Sequence, residues 1–316
     1  MSKFSLVSYS NVKIMPDFLI ISGTKDTASM NIRERLLTSS QFQFHKIDSK
    51  WHNNIIYELS RFDEQEERNS RIEGNRIYLG LTNTSLIHLN DLKLAETEIN
   101  FDYVIIASRH RSQTSRPALL VHTTGNWGKE AEYGGNPREL SYASALLRKS
   151  GFLSLLFNSE KVKLEEFAID VEVTHHGPSV LKKPLIFIEL GSSEEEWTNV
   201  NAAKVVANSI IETIVRFLQY NENEDQKIGL GFGGTHYAPN FSRLEQENNI
   251  AFSFICPKYF IKDLDKTMID QMIGNTVEKI DFFVIDWKGT NSEEKQHLIE
   301  ILSEFNIPIR KTKDFK

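Results

Sequence analysis

Three segments of the chain combine histidine with glycine, and these residue types could carry out chemistry together. The segments are His122-Thr123-Thr124-Gly125-Asn126-Trp127-Gly128, Glu172-Val173-Thr174-His175-His176-Gly177-Pro178 and Gly231-Phe232-Gly233-Gly234-Thr235-His236-Tyr237-Ala238-Pro239. A histidine side chain changes charge near neutral pH, and its neutral ring binds metal ions. Glycine beside it allows a ligand to approach the main chain closely. The segments therefore predict a site for acid–base or metal chemistry.

Carboxylates accompany these histidines. Glu172 precedes the His175-His176 pair, Glu189 ends the apolar run 185–190, and Asp286 ends a later apolar run. A carboxylate in an apolar run costs free energy unless it is paired, hydrogen-bonded or bound to a metal. Glu189 is therefore either a buried structural partner or a site residue, and Asp286 has the same two interpretations.

Each histidine segment follows an apolar run of strand length, at 118–122, 167–173 and 227–232. The exits of such strands are where α/β proteins usually build their sites. In an extended strand, His175 and His176 point to opposite faces. At most one of the two rings reaches a given pocket unless the backbone turns there, which Gly177-Pro178 allows.

Periodicity predicts the remaining elements. Further strands are predicted at 17–23, 75–81, 85–89, 102–108, 185–190, 249–256 and 279–287, and helices at 27–37, 137–149, 199–220, 263–273 and 292–305. Residues 50–75 are polar and predict helix and surface loop. The second half alternates strand and helix, which predicts an α/β fold with a mixed, mostly parallel sheet and helices on both faces. We expect a single domain over residues 1–316, with a small polar subdomain at about 40–100.

Composition limits the class of protein. The chain has 316 residues, of which 40% are hydrophobic and 25% charged, as in ordinary globular proteins. Cys256 is the single cysteine, which excludes a disulfide framework and a thiolate-rich zinc site. No run of about 18 apolar residues predicts a membrane-spanning helix, and the N-terminus has no clean secretory signal. These features predict a cytoplasmic enzyme.

The charge pattern leaves room for a local anionic ligand. The net charge of −6 argues against a broad coat of nucleic acid. Arg109-His110-Arg111 and Arg116 nevertheless form a basic stretch without acidic residues. Its alternative interpretation is a solvated loop. The glycine segment at 231–234 lacks the lysine of a P-loop and the spacing of a dinucleotide fingerprint, so a nucleotide cofactor is not expected. No HExxH-like spacing identifies a zinc site by itself.

Several motifs in a fixed order resemble a known family. They are Asp26-Thr27-Ala28-Ser29-Met30-Asn31-Ile32, residues 122–126, Thr174-His175-His176-Gly177-Pro178, Glu189-Leu190-Gly191-Ser192 with Trp197, Gly233-Gly234-Thr235-His236-Tyr237-Ala238-Pro239 and Asp286-Trp287-Lys288-Gly289. This set resembles the archaeal and plant type of D-aminoacyl-tRNA deacylase. The resemblance implies a cytoplasmic, monomeric, zinc-dependent hydrolase that cleaves the ester between a D-amino acid and tRNA. It also implies a fold similar to nucleoside phosphorylases and bacterial peptidyl-tRNA hydrolase.

Under this hypothesis the residues divide into three groups. The predicted catalytic residues are His122, His175, His176, Glu189 and His236, and the predicted zinc ligands are His122, His176, His236 and Glu172. Gly125, Asn126, Gly177, Gly233, Gly234 and Thr235 are expected to contact substrate, with main-chain N–H groups of 233–235 facing an oxyanion. Arg109, Arg111, Arg116, Lys182, Lys183 and Lys288 are expected to bind tRNA.

Two alternatives from other functional classes remain open. One is a small-molecule hydrolase or nucleoside phosphorylase-like enzyme on the same fold, which would use the histidines without the basic residues. The other is a non-catalytic binder of tRNA or a nucleotide.

Overall fold

The computed structural model describes residues 15–62, 66–221 and 225–315 of the chain. The strands are β1 Phe18–Gly23, β2 Phe42–Trp51, β3 Asn54–Phe62, β4 Ile77–Thr82, β5 Tyr103–Arg109, β6 Ala118–His122, β7 Gly125–Asn126, β8 Glu139–Leu140, β9 Ala168–Val171, β10 Leu185–Gly191, β11 Lys227–Phe232, β12 Ile250–Cys256, β13 Phe282–Ile285 and β14 Ile309–Lys311. The helices are α1 Thr27–Leu37, α2 Glu66–Ile72, α3 Ala145–Val162, α4 Glu194–Thr198, α5 Val200–Asn221, α6 Pro239–Glu247, α7 Lys266–Gly274 and α8 Ser292–Leu302. The prediction that the N-terminus has no secretory signal concerns residues that lie largely outside the described part.

The larger sheet has the strand order β2-β3-β4-β1-β5-β10-β6-β9. Its central strands β4, β1, β5 and β10 run parallel, whereas β6 is antiparallel to β10. The carboxyl ends of parallel strands meet at one edge of a sheet. Gly23, Arg109 and Gly191, which end β1, β5 and β10, therefore lie along the same edge.

The smaller sheet has the order β12-β11-β13-β14 and is parallel throughout. All residues of β12 are buried, as expected for a parallel strand covered on both faces. The predicted α/β class with a mixed, mostly parallel arrangement is confirmed. Its strands are divided between two sheets, a division that periodicity along the chain does not reveal.

Alternate residues of each strand of the larger sheet face two different layers. Phe18 and Ile20 of β1 pack into the main core beneath helices α1, α3 and α5. Leu19 and Ile21 face a second core that includes Leu86, Leu89, Leu92, Ile99 and Phe101. The segment 84–101 therefore covers this second face, and it contains short 3-10 turns in place of a long helix.

Several predicted elements differ from the structure. The strand predicted at 85–89 is wrong, because Leu86–His88 forms a 3-10 turn. The helix predicted at 137–149 begins only at Ala145, where the Ser144 hydroxyl caps it by accepting from the Leu147 N–H at 3.1 Å. The polar region 50–75, predicted as helix and loop, contains strand β3 as well as helix α2. Its polar residues belong to the exposed β2–β3 hairpin at the edge of the larger sheet. Residues 63–65 lie outside the described part.

A buried ion pair joins α3, α6 and β12. The Arg148 guanidinium lies 2.7 Å from a Glu245 carboxylate oxygen, and both side chains are almost fully buried. Arg148 also donates to the Phe252 carbonyl at 2.6 Å, while the Phe252 N–H donates to Glu245 at 2.8 Å. Burial raises the pKa of Glu245 and lowers that of Arg148, and each charge opposes the shift of the other. Each charge is therefore stable in the core only while its partner is present.

Replacing Arg148 by methionine tests this dependence. The Arg148→Met variant leaves the Glu245 carboxylate buried without its cation, so we expect the free energy of unfolding to fall by about 3–5 kcal/mol. Arg243→Met, which breaks the exposed Arg243–Glu247 pair, is the matched control and should cost no more than about 1 kcal/mol. Urea denaturation measures both. Equal, small effects in the two variants would contradict the structural role of the buried pair.

Candidate active site

A cleft with a volume of about 1240 Å³ opens at the carboxyl edge of the larger sheet. Its lining includes Lys25, Asp26, Ser108, Arg109, His110, Arg111, Gly125, Asn126, His175, His176, Glu189, Trp197 and His236. The strand ends at β1, β5 and β10 place most of these residues, because their carboxyl ends are adjacent. Distant parts of the chain therefore share one cavity.

Four of the predicted histidines form one cluster of rings around His175. The His175 ring centroid lies 4.2 Å from that of His122, 4.5 Å from His176 and 4.7 Å from His236. His176 adopts a left-handed backbone conformation with φ of 43°. The backbone therefore turns at this point, and both rings of the His175-His176 pair reach the same cluster.

Main-chain carbonyls orient three of these rings. The Nδ1 atoms of His122, His175 and His176 lie 3.0, 2.8 and 2.7 Å from the carbonyl oxygens of Thr123, Val173 and Gly177. A carbonyl oxygen only accepts a hydrogen bond, so the proton of each neutral ring resides on Nδ1. The three Nε2 atoms are left to bind a metal or to accept a proton.

Two buried carboxylates lie beside the ring cluster. The His236 Nε2 atom lies 2.8 Å from Glu172 Oε1, and the His110 Nδ1 atom lies 3.4 Å from Glu172 and 3.3 Å from Glu189. Ser108 donates its hydroxyl to Glu189 at 2.6 Å. Glu172 is 1% exposed and Glu189 is 4% exposed. Both interpretations of Glu189 thus apply, because it is a buried, hydrogen-bonded group and also lines the cleft.

Glu189 and the neighbouring rings shift one another's pKa. Burial acts to raise the pKa of Glu189, but the His110 and His122 rings, 3.3 and 3.6 Å away, and their positive charge hold it well below its usual value. Burial acts to lower the pKa of His110 and His122, yet the negative charges of Glu189 and Glu172 raise both. The site therefore favours a negative Glu189 beside these two rings.

In contrast, the pKa values of His175 and His176 are lowered. Burial, and then the positive charge of His122, lowers the pKa of His175 well below its usual value. The same two causes lower the pKa of His176 to about 4. Both rings are therefore neutral at neutral pH, which is the form that binds metal ions.

The donor atoms of the cluster fit a metal ion. Among the described residues, the buried His122 Nε2 and both carboxylate oxygens of Glu172 have no hydrogen-bond partner of good geometry. Ligand atoms lie within 4.8 Å of one another in three groups: His122, His175 and His176; Glu172, His175 and His236; and His110, Glu172 and Glu189. Imidazole nitrogen and carboxylate oxygen are the usual ligands of catalytic zinc. The zinc ligands predicted from sequence are divided between the first two groups, which share His175.

The predicted substrate-binding residues do not all reach the cleft. Gly125, Asn126, Arg109 and Arg111 line it. The described lining residues do not include Gly177, Gly233, Gly234, Thr235, Arg116, Lys182, Lys183 or Lys288. Lys182 and Lys183 precede β10 and lie at the opposite, amino end of this strand, away from the cleft, so their contact with tRNA stays a prediction.

The glycines at 177 and 233 are required by packing and main-chain hydrogen bonds within the fold, and they do not line the cleft. A side chain at Gly177 would overlap the main chain of Gly134 and Gly135. The Gly233 N–H donates to the Cys256 carbonyl at 2.8 Å, so this group is not free to bind an oxyanion. Asp286 is 3% exposed and lies against Gly289 and the Gly233-Gly234 turn, and its Oδ1 atom is buried without a hydrogen-bond partner. It does not line the cleft.

His110 was missed as a site residue, although it contacts both carboxylates. It directly follows β5, and its Nε2 atom lies 3.3 Å from the Tyr237 hydroxyl. The Trp197 indole N–H donates to the His110 carbonyl at 2.8 Å, and the Arg109 guanidinium lies 5.2 Å from the Trp197 ring centroid. The sequence signal was present, because His110 follows an apolar strand as His122 does. Its arginine neighbours suggested a charged loop instead.

Comparison with known proteins identifies the family. A family model described as D-aminoacyl-tRNA deacylase matches residues 97–310, which carry most of the cluster. The chain belongs to the D-aminoacyl-tRNA deacylase family. It is therefore an enzyme of the hydrolase class, as the motifs predicted.

The similarity extends over nearly the whole chain. The D-aminoacyl-tRNA deacylase of Pyrococcus furiosus is 36% identical over 292 residues, which cover 91% of this chain and 97% of the relative. That of Methanococcus vannielii is 32% identical over 298 residues, covering 92% and 98%. The crystal structure of a conserved protein of unknown function aligns with a TM-score of 0.78 and 30% identity, covering 95% of this chain and 97% of that one. The chain therefore shares its fold with that solved structure over nearly its whole length.

None of the described helices has the length and apolar character needed to cross a membrane.

Replacing Gly191 by alanine tests whether turnover in this deacylase depends on the position of His110. A Cβ atom at Gly191 would lie 2.6 Å from both the carbonyl oxygen and the Cβ of His110, so the Gly191→Ala variant must displace that residue. We expect turnover of D-tyrosyl-tRNA to fall by at least about 10-fold, since misplacement of about 1 Å in a site can cost more than this. Gly274→Ala is the control, because a Cβ there meets open space. Unchanged turnover of folded Gly191→Ala protein would exclude a role for His110 in the reaction.

Proposed function

We propose that the chain hydrolyses the ester between a D-amino acid and the 3′-terminal ribose of tRNA within the cleft. Water adds to the ester carbonyl, and the products are the free D-amino acid and tRNA. The observation that carries this proposal is the convergence of histidines and two carboxylates in one cluster, in a chain of this family. His175, His176, His236 and Glu189 line the cleft, and His122 and Glu172 are buried directly behind them. The reaction removes D-amino acids from tRNA before translation uses them.

His236 and Glu172 form the pair best suited to activate water. The His236 side chain is 37% exposed, whereas Glu172 is fully buried behind it. The carboxylate at 2.8 Å favours a proton on Nε2 of His236, which leaves Nδ1 to accept a proton from the attacking water. His236 then returns this proton to the departing ribose oxygen.

We further propose that the site is zinc-dependent. His122, His175 and His176 would hold the ion through their Nε2 atoms, since carbonyls occupy each Nδ1 and His175 and His176 are neutral. Three histidines with an open fourth position are a known ligand set of catalytic zinc. Zinc in such a site lowers the pKa of water to about 7 and polarises a carbonyl group.

Cations in the cleft can contact the 3′ end of tRNA. Lys25, Arg109 and Arg111 line it, and the Arg109 guanidinium rests over the Trp197 ring. A guanidinium in a fixed position makes directed hydrogen bonds to phosphate oxygens. We assign these three side chains to the phosphates next to the terminal ribose.

We also propose that the enzyme acts as a monomer in the cytoplasm. Each ring and carboxylate of the cluster comes from the same chain, so a second copy is not required to complete the site. Aminoacyl-tRNA, the substrate class of the family, is used in the cytoplasm. Sedimentation in the presence and absence of tRNA measures the oligomeric state.

Alanine variants of the clustered histidines test the catalytic proposal. We expect His175→Ala and His236→Ala to reduce turnover of D-tyrosyl-tRNA by about 10²-fold or more, because each removes a group that activates water. His45→Ala, on the exposed strand β2, is the control. A chelator should inactivate the wild-type enzyme, and zinc should restore it. Near-normal turnover in both variants would rule out the cluster as the reaction centre.

The configuration of the amino acid provides a second test. Gly125 has φ of 153° and lies against the main chain of Leu140, so this wall of the cleft is formed by backbone that cannot move aside for a side chain. We propose that an L side chain meets this wall while a D side chain points away from it. Turnover of D-tyrosyl-tRNA should exceed that of L-tyrosyl-tRNA by about 10²-fold or more. Similar rates in a deacylation assay with both substrates would refute the proposed selectivity.

A further inference from the structure

A basic surface surrounds Trp287 at the edge of the smaller sheet. The ammonium nitrogens of Lys311 and Lys295 lie 4.0 and 5.1 Å from the centroid of the Trp287 ring. The neighbouring residue Lys288 is exposed. We call these four residues, Trp287, Lys288, Lys295 and Lys311, the Trp287 patch.

The cations of the patch are not neutralised within the fold. In the described part of the chain, none of the three lysines forms an ion pair with a carboxylate. Glu294 and Asp314 lie nearby and keep their negative charge, and they accept from the main-chain N–H groups of Asn291 at 2.8 Å and Lys311 at 2.9 Å. Glu293 is a further acidic neighbour, in the first turn of α8. The ammonium groups of Lys295 and Lys311 nevertheless lie over the Trp287 ring and not on these carboxylates.

Trp287 fixes the positions of the Lys295 and Lys311 ammonium groups. An ammonium group is attracted to the face of an indole ring, and the attraction limits the freedom of a long side chain. Arg310, the neighbour of Lys311 on β14, points to the other face of the sheet, where its guanidinium lies 5.6 Å from the centroid of Phe282. The patch therefore presents cations in defined positions on a rigid sheet edge, which is suited to a ligand with regularly spaced anions.

The patch adjoins the segment that carries His236. Phe232 at the end of β11 is in register with Ile285 at the end of β13, and the two strands are parallel. A Cβ atom at Gly233 would lie 2.8 Å from the methyl group of Thr290. The loop after β13, which contains Trp287 and Lys288, thus packs on the turn that leads to His236. The patch and the cleft are therefore joined through neighbouring strand ends of the smaller sheet.

We propose that the Trp287 patch binds phosphates of the double-helical acceptor stem of the tRNA whose 3′ end occupies the cleft. This inference rests on the proposed function. Double-stranded RNA is recognised through its backbone and shape, and lysine and arginine supply the phosphate contacts. The cleft cations Lys25, Arg109 and Arg111 then contact the single-stranded end, and the patch contacts the helix that precedes it.

Charge reversal with two substrates tests the proposal. The Lys295→Glu/Lys311→Glu double variant is compared with wild type on D-tyrosyl-tRNA and on the D-tyrosyl ester of adenosine, which has no acceptor stem. We expect KM for the tRNA to rise by about 10-fold, with kcat unchanged, because two phosphate contacts become repulsive. Turnover of the adenosine ester should not change. The matched control is Lys46→Glu/Lys50→Glu, which introduces the same charge change on the exposed strand β2 of the other sheet.

Binding of uncharged tRNA provides a measurement that does not depend on catalysis. We expect the double variant to bind more weakly and to show a shallower dependence of affinity on salt than wild type or the control. Equal KM and equal salt dependence in the double variant and wild type would overturn the assignment. An equal loss in the two double variants, or on both substrates, would also overturn it. If wild type hydrolysed neither ester but bound tRNA through the patch, the proposed function alone would fail.

Discussion

The site depends on the burial of two carboxylates, Glu172 and Glu189, at the junction of the two sheets. A buried negative charge is unfavourable unless nearby groups compensate it. His110, His122 and His236 lie within 4.0 Å of these carboxylates and supply that compensation. The same arrangement holds the imidazole rings in place. The same contacts therefore neutralise the two buried charges and assemble the histidine cluster.

The two sheets are joined at this cluster by main-chain hydrogen bonds. The Val173 N–H donates to the His236 carbonyl and the Thr174 N–H donates to the Ile255 carbonyl, both at 3.0 Å. The exit of β9 in the larger sheet is therefore tied to the exits of β11 and β12 in the smaller one. These hydrogen bonds hold His175 and His176, which follow β9, at a fixed distance from His236, which follows β11.

The negative and the positive groups of the candidate site lie in different places. The buried carboxylates lie beneath the rings, while Lys25, Arg109 and Arg111 lie at the surface of the cleft. An acidic chain can therefore bind an anionic partner through local groups, without the basic surface of a general nucleic-acid binder. Trp197 links the two regions, because its indole N–H holds the His110 carbonyl while its ring supports Arg109.

The sequence by itself determined the α/β class, most strand and helix positions, and the candidates His122, His175, His176, His236, Glu172 and Glu189. Strand periodicity and residue chemistry are local properties, so the chain order carries them. Tertiary structure alone decided that β11–β14 form a separate sheet, that His110 faces both carboxylates and that Lys182 and Lys183 lie at the far end of β10. These depend on which strands pair and where their ends meet, and such long-range contacts leave no local pattern in the sequence.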